Sequence, residues 1–98
     1  MKVILSPIGD NYTTEISING LIVTVDGIDY DLSQIPENGQ ADFEKEGEPF
    51  INPVKRDEVK IVYHYDDSLA AKKQPVDVES YIFEVTKGNV PSPIIWKE

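Results

Sequence analysis

The sequence predicts an all-β fold with at most one short helical turn, and three observations support this class. Two dipeptides typical of tight hairpin turns, Asn19-Gly20 and Asp26-Gly27, lie close together near the N-terminus. The residues around them alternate between apolar and polar with the period of a strand. Further strand-like runs and turn-forming residues follow at short intervals, and no stretch has a sustained helical period. We therefore expect about six or seven strands in a small two-layer sheet or open barrel.

The first part of this fold is predicted to be a three-stranded antiparallel meander. If both dipeptides form two-residue type I′ turns, Ile18 pairs with Leu21, and Val25 pairs with Ile28. Side chains alternate across a strand, so this register gathers the apolar residues on one face. That face would comprise Ile16, Ile18, Leu21, Val23, Val25, Ile28, Tyr30 and Leu32.

The segments on either side of the meander carry weaker signals. Before it, Lys2–Leu5 is a short apolar strand that Ser6 and Pro7 are expected to end. After it, an acidic stretch allows one helical turn around Asp42–Lys45, or a loop. Residues 50–55 then form a weak strand that belongs at a sheet edge, because Pro53 has no backbone N–H to donate.

Two strands are predicted in the second half of the chain. Residues 59–65 alternate clearly, with Val59, Ile61, Tyr63 and Tyr65 on one face. Residues 76–86 contain a further strand that directs Tyr81, Phe83 and Val85 to one side. Lys87, Gly88 and Asn89 form a predicted turn after it.

Size and composition predict a single globular β domain over residues 1–98. The hydrophobic fraction of 40% suffices for one modest core. The chain has no cysteine, which excludes disulfides and thiolate chemistry and is typical of a reducing compartment. The N-terminal apolar run is too short for a secretory signal, and no stretch approaches the length of a membrane span. We therefore expect a cytoplasmic location.

The net charge of −9 restricts the class of partner. Such a surface repels phosphate backbones and anionic lipid headgroups, so we expect no direct binding to nucleic acid or membrane. A basic protein partner or a cation is electrostatically easier to bind. Two alternatives stay open: the charge serves only solubility, or the chain is an acidic decoy that mimics DNA and inhibits a nucleic-acid-binding protein.

The residues capable of catalysis form no recognised constellation. His64, the single histidine, could act as a general base with Asp66 or Asp67, but a half-exposed surface histidine is the simpler interpretation. Four acids alternate with other residues in a stretch that we interpret as a solvated loop rather than a metal site: Asp42, Glu44, Glu46 and Glu48. The sequence therefore predicts no catalytic residue, no metal site and no cofactor.

The C-terminal segment is the best candidate for an interaction surface. Pro91 and Pro93 hold the chain extended ahead of Ile94, Ile95 and Trp96. We expect this tail to dock onto its own sheet beside residues 2–5, with docking onto a partner as the alternative. Together with the edge strand, the candidate partner-binding residues are Phe50, Ile51, Ile94, Ile95 and Trp96.

Three stretches of the chain resemble a family of small uncharacterised proteins encoded by tailed phages and prophages. These stretches read MKVILSPI, SINGLIVTVDGIDYDLSQIPENG and PFINPVKRDEVKIVYHY. The matching positions are Met1, Lys2, Leu5, Ser6, Pro7, Gly27, Tyr30, Asp31, Leu32, Ser33, Ile35, Pro36, Glu37, Phe50, Pro53, Val54 and Arg56. The chain departs from the family pattern at Asn38, where an extra residue precedes Gly39, and in its C-terminal tail.

The resemblance implies a genetic setting rather than an activity. Members are commonly encoded among the genes for tails and tail fibres, and the resemblance brings no catalytic residues. We therefore expect a non-enzymatic interaction protein, such as a tail-associated accessory or assembly factor, with a phage structural or assembly protein as its partner. Its location would be the host cytoplasm or the virion.

Overall fold

The all-β prediction is confirmed by a computed structural model, which describes residues 1–41, 49–51 and 53–97. The strands in these ranges are β1 (Lys2–Asp10), β2 (Ile16–Asn19), β3 (Ile22–Val25), β4 (Ile28–Asp31), β5 (Gln40–Ala41), β6 (Val54–Lys55), β7 (Glu58–Asp66), β8 (Ile82–Glu84) and β9 (Lys87–Asn89). Two 3₁₀ turns, η1 (Leu32–Gln34) and η2 (Val78–Tyr81), complete the elements. The strands form three sheets in the orders β7-β1-β8, β4-β3-β2-β9 and β5-β6.

The longest contact between elements is the parallel pairing of β1 with β7. It runs without a break from Lys2 opposite Glu58 to Asp10 opposite Asp66. Alternation places one apolar set on the inner face of both strands, where every member is buried: Val3, Leu5, Val59, Ile61 and Tyr63. The prediction that residues 59–65 form a strand with this buried face is confirmed.

Strand β1 continues through Pro7, so the expectation that Ser6 and Pro7 end it is wrong. The N–H of Lys2 donates to the Asp57 carbonyl at 2.8 Å, so even-numbered residues of β1 direct their backbone groups toward β7. Pro7 therefore faces the opposite side, where β8 pairs only with residues 2–4. The missing N–H of Pro7 costs the ladder no hydrogen bond.

The meander is present, and its second turn has the predicted geometry. Asp26 and Gly27 both have positive φ, at 50° and 84°, as a type I′ turn requires. Val25 pairs with Ile28 and Val23 pairs with Tyr30, as predicted. Four of the predicted apolar-face residues are buried on this sheet, and Ile28 is 58% exposed at its edge.

The predicted register of the first hairpin is wrong by two residues. Asn19 pairs with Ile22 and Ile18 pairs with Val23, so the loop residues are Gly20 and Leu21. Gly20 has a φ of 62°, while Leu21 is not among the residues with positive φ, which fits a type II′ turn with glycine first. A shift by an even number of residues leaves each side chain on its predicted face.

Two predictions for the second half need correction. Residues 87–89, expected to be a turn, form β9, which pairs antiparallel with β2. Gly88 opposes Ile18 there with a φ of 109°, which a glycine tolerates within this short edge strand. Of the strand expected over residues 76–86, only 82–84 form β8, because η2 turns the preceding residues away from β1. Tyr81, Phe83 and Val85 do pack against the core, as predicted.

The predicted edge strand at residues 50–55 is divided. Phe50 makes a single antiparallel pairing with Ile61, and Val54–Lys55 pairs with Gln40–Ala41 as part of the small third sheet. The helical turn considered for Asp42–Lys45, and the acidic stretch that contains it, lie outside the described residues.

Both large sheets contribute to one hydrophobic cluster, which makes the molecule two-layered.

Ile61 is fully buried in this hydrophobic cluster. We expect Ile61→Ala to lower the free energy of unfolding by about 2–5 kcal/mol, because it removes buried methyl groups and leaves a cavity. The matched control is Ile8→Ala on β1, where the side chain is 47% exposed and the expected loss is about 0.5 kcal/mol. Equal losses in urea denaturation would contradict this core.

The register of the first hairpin can be tested by cross-linking, because the chain has no native cysteine. Ser17 lies directly opposite Thr24. Ser17→Cys combined with Thr24→Cys should form a disulfide on mild oxidation, because opposed residues lie about 4.5–5.5 Å apart between Cα atoms. Ser17→Cys with Ile22→Cys is the control, since diagonal neighbours lie about 7–8 Å apart. Preferential oxidation of the control pair, measured by mass spectrometry of free thiols, would establish the other register.

Candidate binding surfaces and the His64 cluster

The C-terminal tail docks on the protein itself, but not at the predicted place. Instead of lying beside residues 2–5, it pairs with the loop after β7. Ala70 and Trp96 form an antiparallel pairing, and the Ala71 N–H donates to the Ile95 carbonyl at 2.8 Å. The Gln74 side chain makes hydrogen bonds at 2.9 Å to both the N–H and the carbonyl of Ile95.

The loop after β7 is preferred because it offers backbone partners to the tail. Beside residues 2–5, β1 is already paired with β7 on one side and β8 on the other. The tail is also fixed at its start, where the Tyr63 hydroxyl donates to the Ser92 hydroxyl at 2.8 Å. The proline-guided segment is therefore part of the fold.

The five candidate partner-binding residues divide into two groups. Phe50 and Ile94 are 7% and 6% exposed and belong to the core, so they offer little surface to a partner in this conformation. Ile51, Ile95 and Trp96 remain at least 36% exposed. Phe50 also packs edge-on against Tyr30, with ring centroids 4.9 Å apart. The structure thus keeps three of the five as surface residues.

Ile51 lies in an apolar groove that the sequence did not indicate. We call this the β1-edge groove. It has a volume of about 410 Å³. It is lined by Ile4, Leu5, Ser6, Pro7, Ile51, Lys60, Val76, Val78 and Tyr81. It opens where β8 stops pairing with β1, and Val76 and Val78 beside it are 93% and 69% exposed.

Val76 precedes η2 and Val78 begins it, and one hydrogen bond fixes this part of the chain. The Tyr81 hydroxyl donates to the Pro75 carbonyl at 2.6 Å, which fixes the start of this segment. In the sequence, Val76 and Val78 have the alternation of a strand, which would give them an ordinary place in a sheet. These valines are exposed because η2 replaces the expected strand, and the local sequence does not predict this turn.

His64 lies in a cluster that differs from the predicted one. Its Nδ1 is 3.0 Å from an Asp10 carboxylate oxygen, and its ring stacks on Tyr12 with centroids 5.1 Å apart. The predicted partner Asp66 instead accepts hydrogen bonds from the backbone and hydroxyl of Ser68. The pairing with Asp10 arises because β1 and β7 run parallel and end together, which the sequence does not reveal.

The His64 cluster ties the chain after β1 to the end of β7. Thr14 and His64 exchange two hydrogen bonds: the Thr14 N–H donates to the His64 carbonyl at 2.8 Å, and the His64 N–H donates to the Thr14 hydroxyl at 2.9 Å. The adjoining cleft of about 250 Å³ is lined by Tyr12, Thr14, Val25, Asp26, Pro49, Val62 and His64. This lining contains no lysine, and its one hydroxyl group of the serine or threonine type is already engaged by the backbone. The two bonds between Thr14 and His64 hold the chain after β1 against the end of β7.

No protein-family model matches the chain, and no curated protein or solved structure is significantly similar to it. Among the described residues there is no group of three or more side chains able to hold a metal ion. The same residues contain no helix with the length and apolar character needed to cross a membrane. What the fold and its surfaces define is a small all-β protein.

The electrostatics of the His64 cluster can be measured at Tyr12. Partial loss of solvent raises the pKa of its phenol above the usual value, and the Asp10 and Asp26 carboxylates raise it further. Asp10→Asn should therefore lower the Tyr12 pKa, as followed by the ¹³Cζ chemical shift. Asp67→Asn is the control and should leave it unchanged. Because the neutral phenol is favoured in the native state, its contribution to stability is complete below the ordinary phenol pKa and is lost as pH rises through the raised value. An equal response to both substitutions would contradict this electrostatic coupling.

Proposed function

We propose that the protein is a small non-enzymatic interaction protein of phage or prophage origin, acting as a tail-associated accessory or assembly factor. The observation that carries the proposal is the β1-edge groove, where Val76 and Val78 expose most of their surface beside Ile51. Clusters of exposed aliphatic side chains are more typical of surfaces that contact a partner than of surfaces that contact only water. The partner we propose for this groove is a phage tail structural or assembly protein.

The resemblance of three sequence stretches to phage-encoded proteins supplies the biological setting. Three of the matching positions, Leu5, Ser6 and Pro7, line the groove itself. In this setting the protein would work in the host cytoplasm or on the virion. The groove lining carries one charge, that of Lys60, so apolar contact would dominate the interaction.

The acidic decoy is the weaker candidate. Acidic residues of the described ranges occur on both large sheets, on η2 and in several turns. Some of them form ion pairs with lysines. The Glu58 carboxylate oxygens, for example, lie 3.6 Å from the Lys2 Nζ and 3.7 Å from the Lys55 Nζ. A DNA mimic requires carboxylates concentrated in rows that repeat phosphate spacing, and this distribution favours the interaction protein.

The groove can be tested with a paired substitution. Val76→Asp with Val78→Asp should abolish capture of phage tail proteins by the tagged protein in an induced host, because charge in the groove opposes apolar burial. The fold should be unaffected, since both side chains already contact water. Captured proteins are identified by mass spectrometry.

The matched control is Leu69→Asp with Lys72→Gln, two exposed residues outside the groove lining whose substitution changes the net charge equally. This control should retain capture. If the unsubstituted protein recovers no tail protein, and phage particles assemble fully in a deletion strain, the proposed function is wrong. Equal loss in both double variants would assign the interaction to another surface.

A further inference from the structure

Strand β4 forms one edge of the four-stranded sheet. Within the described ranges it pairs with β3 alone. Val25 and Ile28 flank a two-residue turn and form a hydrogen-bonded pair, so the pairing groups alternate from there. The Leu32 N–H donates to the Leu21 carbonyl at 2.8 Å, which agrees with this alternation. The backbone N–H and C=O groups of Asp29 and Asp31 therefore point away from the sheet.

The side chains of these two aspartates are held on one face of the strand. The Thr24 hydroxyl donates to an Asp29 carboxylate oxygen at 2.6 Å, and the Ser33 N–H donates to one of Asp31 at 2.9 Å. Hydrogen bonding from the Ser33 side chain and backbone also lowers the pKa of Asp31, which keeps this carboxylate charged. Neither aspartate forms an ion pair with another described residue.

The charge of this sheet is divided between its two edges. Its four strands contain a single basic residue, Lys87, which lies on β9 at the edge opposite β4. The β4 edge thus carries two oriented carboxylates and no cation. Ile28, on the other face of the same strand, is 58% exposed. Among the described residues, the edge combines backbone groups of Asp29 and Asp31 that pair with no other strand, negative charge on one face and an exposed apolar side chain on the other.

These features select one kind of occupant. Edge carboxylates repel acidic strands, and they disfavour neutral ones because they would lose water without gaining a counter-charge, which is a common protection against aggregation. They attract a strand that carries lysine or arginine opposite them, because cross-strand pairs of opposite charge are stabilising. A second copy of this chain is disfavoured at long range, since each copy has a net charge of −9.

We propose that β4 accepts an extended basic segment of a partner protein as an added strand. Lysine or arginine side chains of that segment would lie opposite Asp29 and Asp31, and an apolar side chain would cover Ile28. Backbone hydrogen bonds supply affinity in this mode and the alternate side chains supply specificity. The proposal concerns a different surface from the β1-edge groove and does not depend on the proposed function.

The test uses a short blocked peptide that alternates lysine with valine, added to the ¹⁵N-labelled full chain. We expect salt-sensitive binding with the largest amide shifts at Asp29 and Asp31, where new hydrogen bonds form. Asp29→Asn with Asp31→Asn should weaken binding by roughly two- to thirtyfold, the range given by losing two cross-strand charge pairs. Asp57→Asn with Asp77→Asn changes the net charge equally and should leave binding unchanged, because both are exposed acids on other segments.

Two modified peptides separate strand addition from simple charge attraction. A peptide with glutamate in place of lysine should not bind. A peptide N-methylated at the amides that would face β4 keeps its charge, so its binding should be lost only if backbone pairing is required. The proposal is overturned by undetectable binding, by equal binding of the N-methylated peptide, by amide shifts spread over other acidic segments, or by a second copy of the chain occupying β4 in sedimentation experiments without peptide.

Discussion

The parallel pairing of β1 with β7 is the constraint on which the rest of the structure depends. These strands lie far apart in the chain, yet they pair along their whole length. Their inner face supplies Val3, Val59 and Ile61, each fully buried. Burying such a side chain stabilises a protein by about 1.5–3 kcal/mol, so this pair is a large share of what holds a domain of this size together. The meander packs onto the same face from the other layer.

The neighbours of this pair determine which surfaces are covered. The far edge of β7 is occupied twice: Ile51 donates its N–H to the Lys60 carbonyl near the middle, and Thr14 exchanges hydrogen bonds with His64 near the end. The far edge of β1 has β8 only at residues 2–4. The β1-edge groove extends from Ile51, which is bonded to the far edge of β7, across the paired residues Ile4 and Lys60 to Val76 and Val78 beside β1. His64 meets Asp10 because parallel strands end at the same side of a sheet.

The features predicted correctly from the sequence are those set by neighbouring residues, and the features missed depend on residues far apart in the chain. Alternation and the Asp26-Gly27 turn are local, and they correctly predict the faces of the meander and of β7. The predicted register of the first turn is wrong because Gly20 can occupy either central position of a two-residue loop, and neighbouring residues do not decide between them. Pairings distant in sequence, such as Asp10 with His64, depend on strand order, which no local pattern encodes. The exposure of Val76 and Val78 depends on η2, which the alternation of the sequence does not predict.

Two of the strand edges in the described part of the chain, those of β1 and β4, are protected by different physical means, and the difference matters for recognition. On β1, the backbone of Pro7 faces the uncovered side and has no N–H to donate. Any strand added there would lack one hydrogen bond, whatever its sequence. On β4, the backbone groups of Asp29 and Asp31 are intact and only charge opposes approach. Protection by proline is indifferent to the partner, whereas protection by charge depends on the charge of the partner. The β1 side is thus suited to side-chain contacts in a groove, and the β4 side to discrimination between strands by their sign of charge.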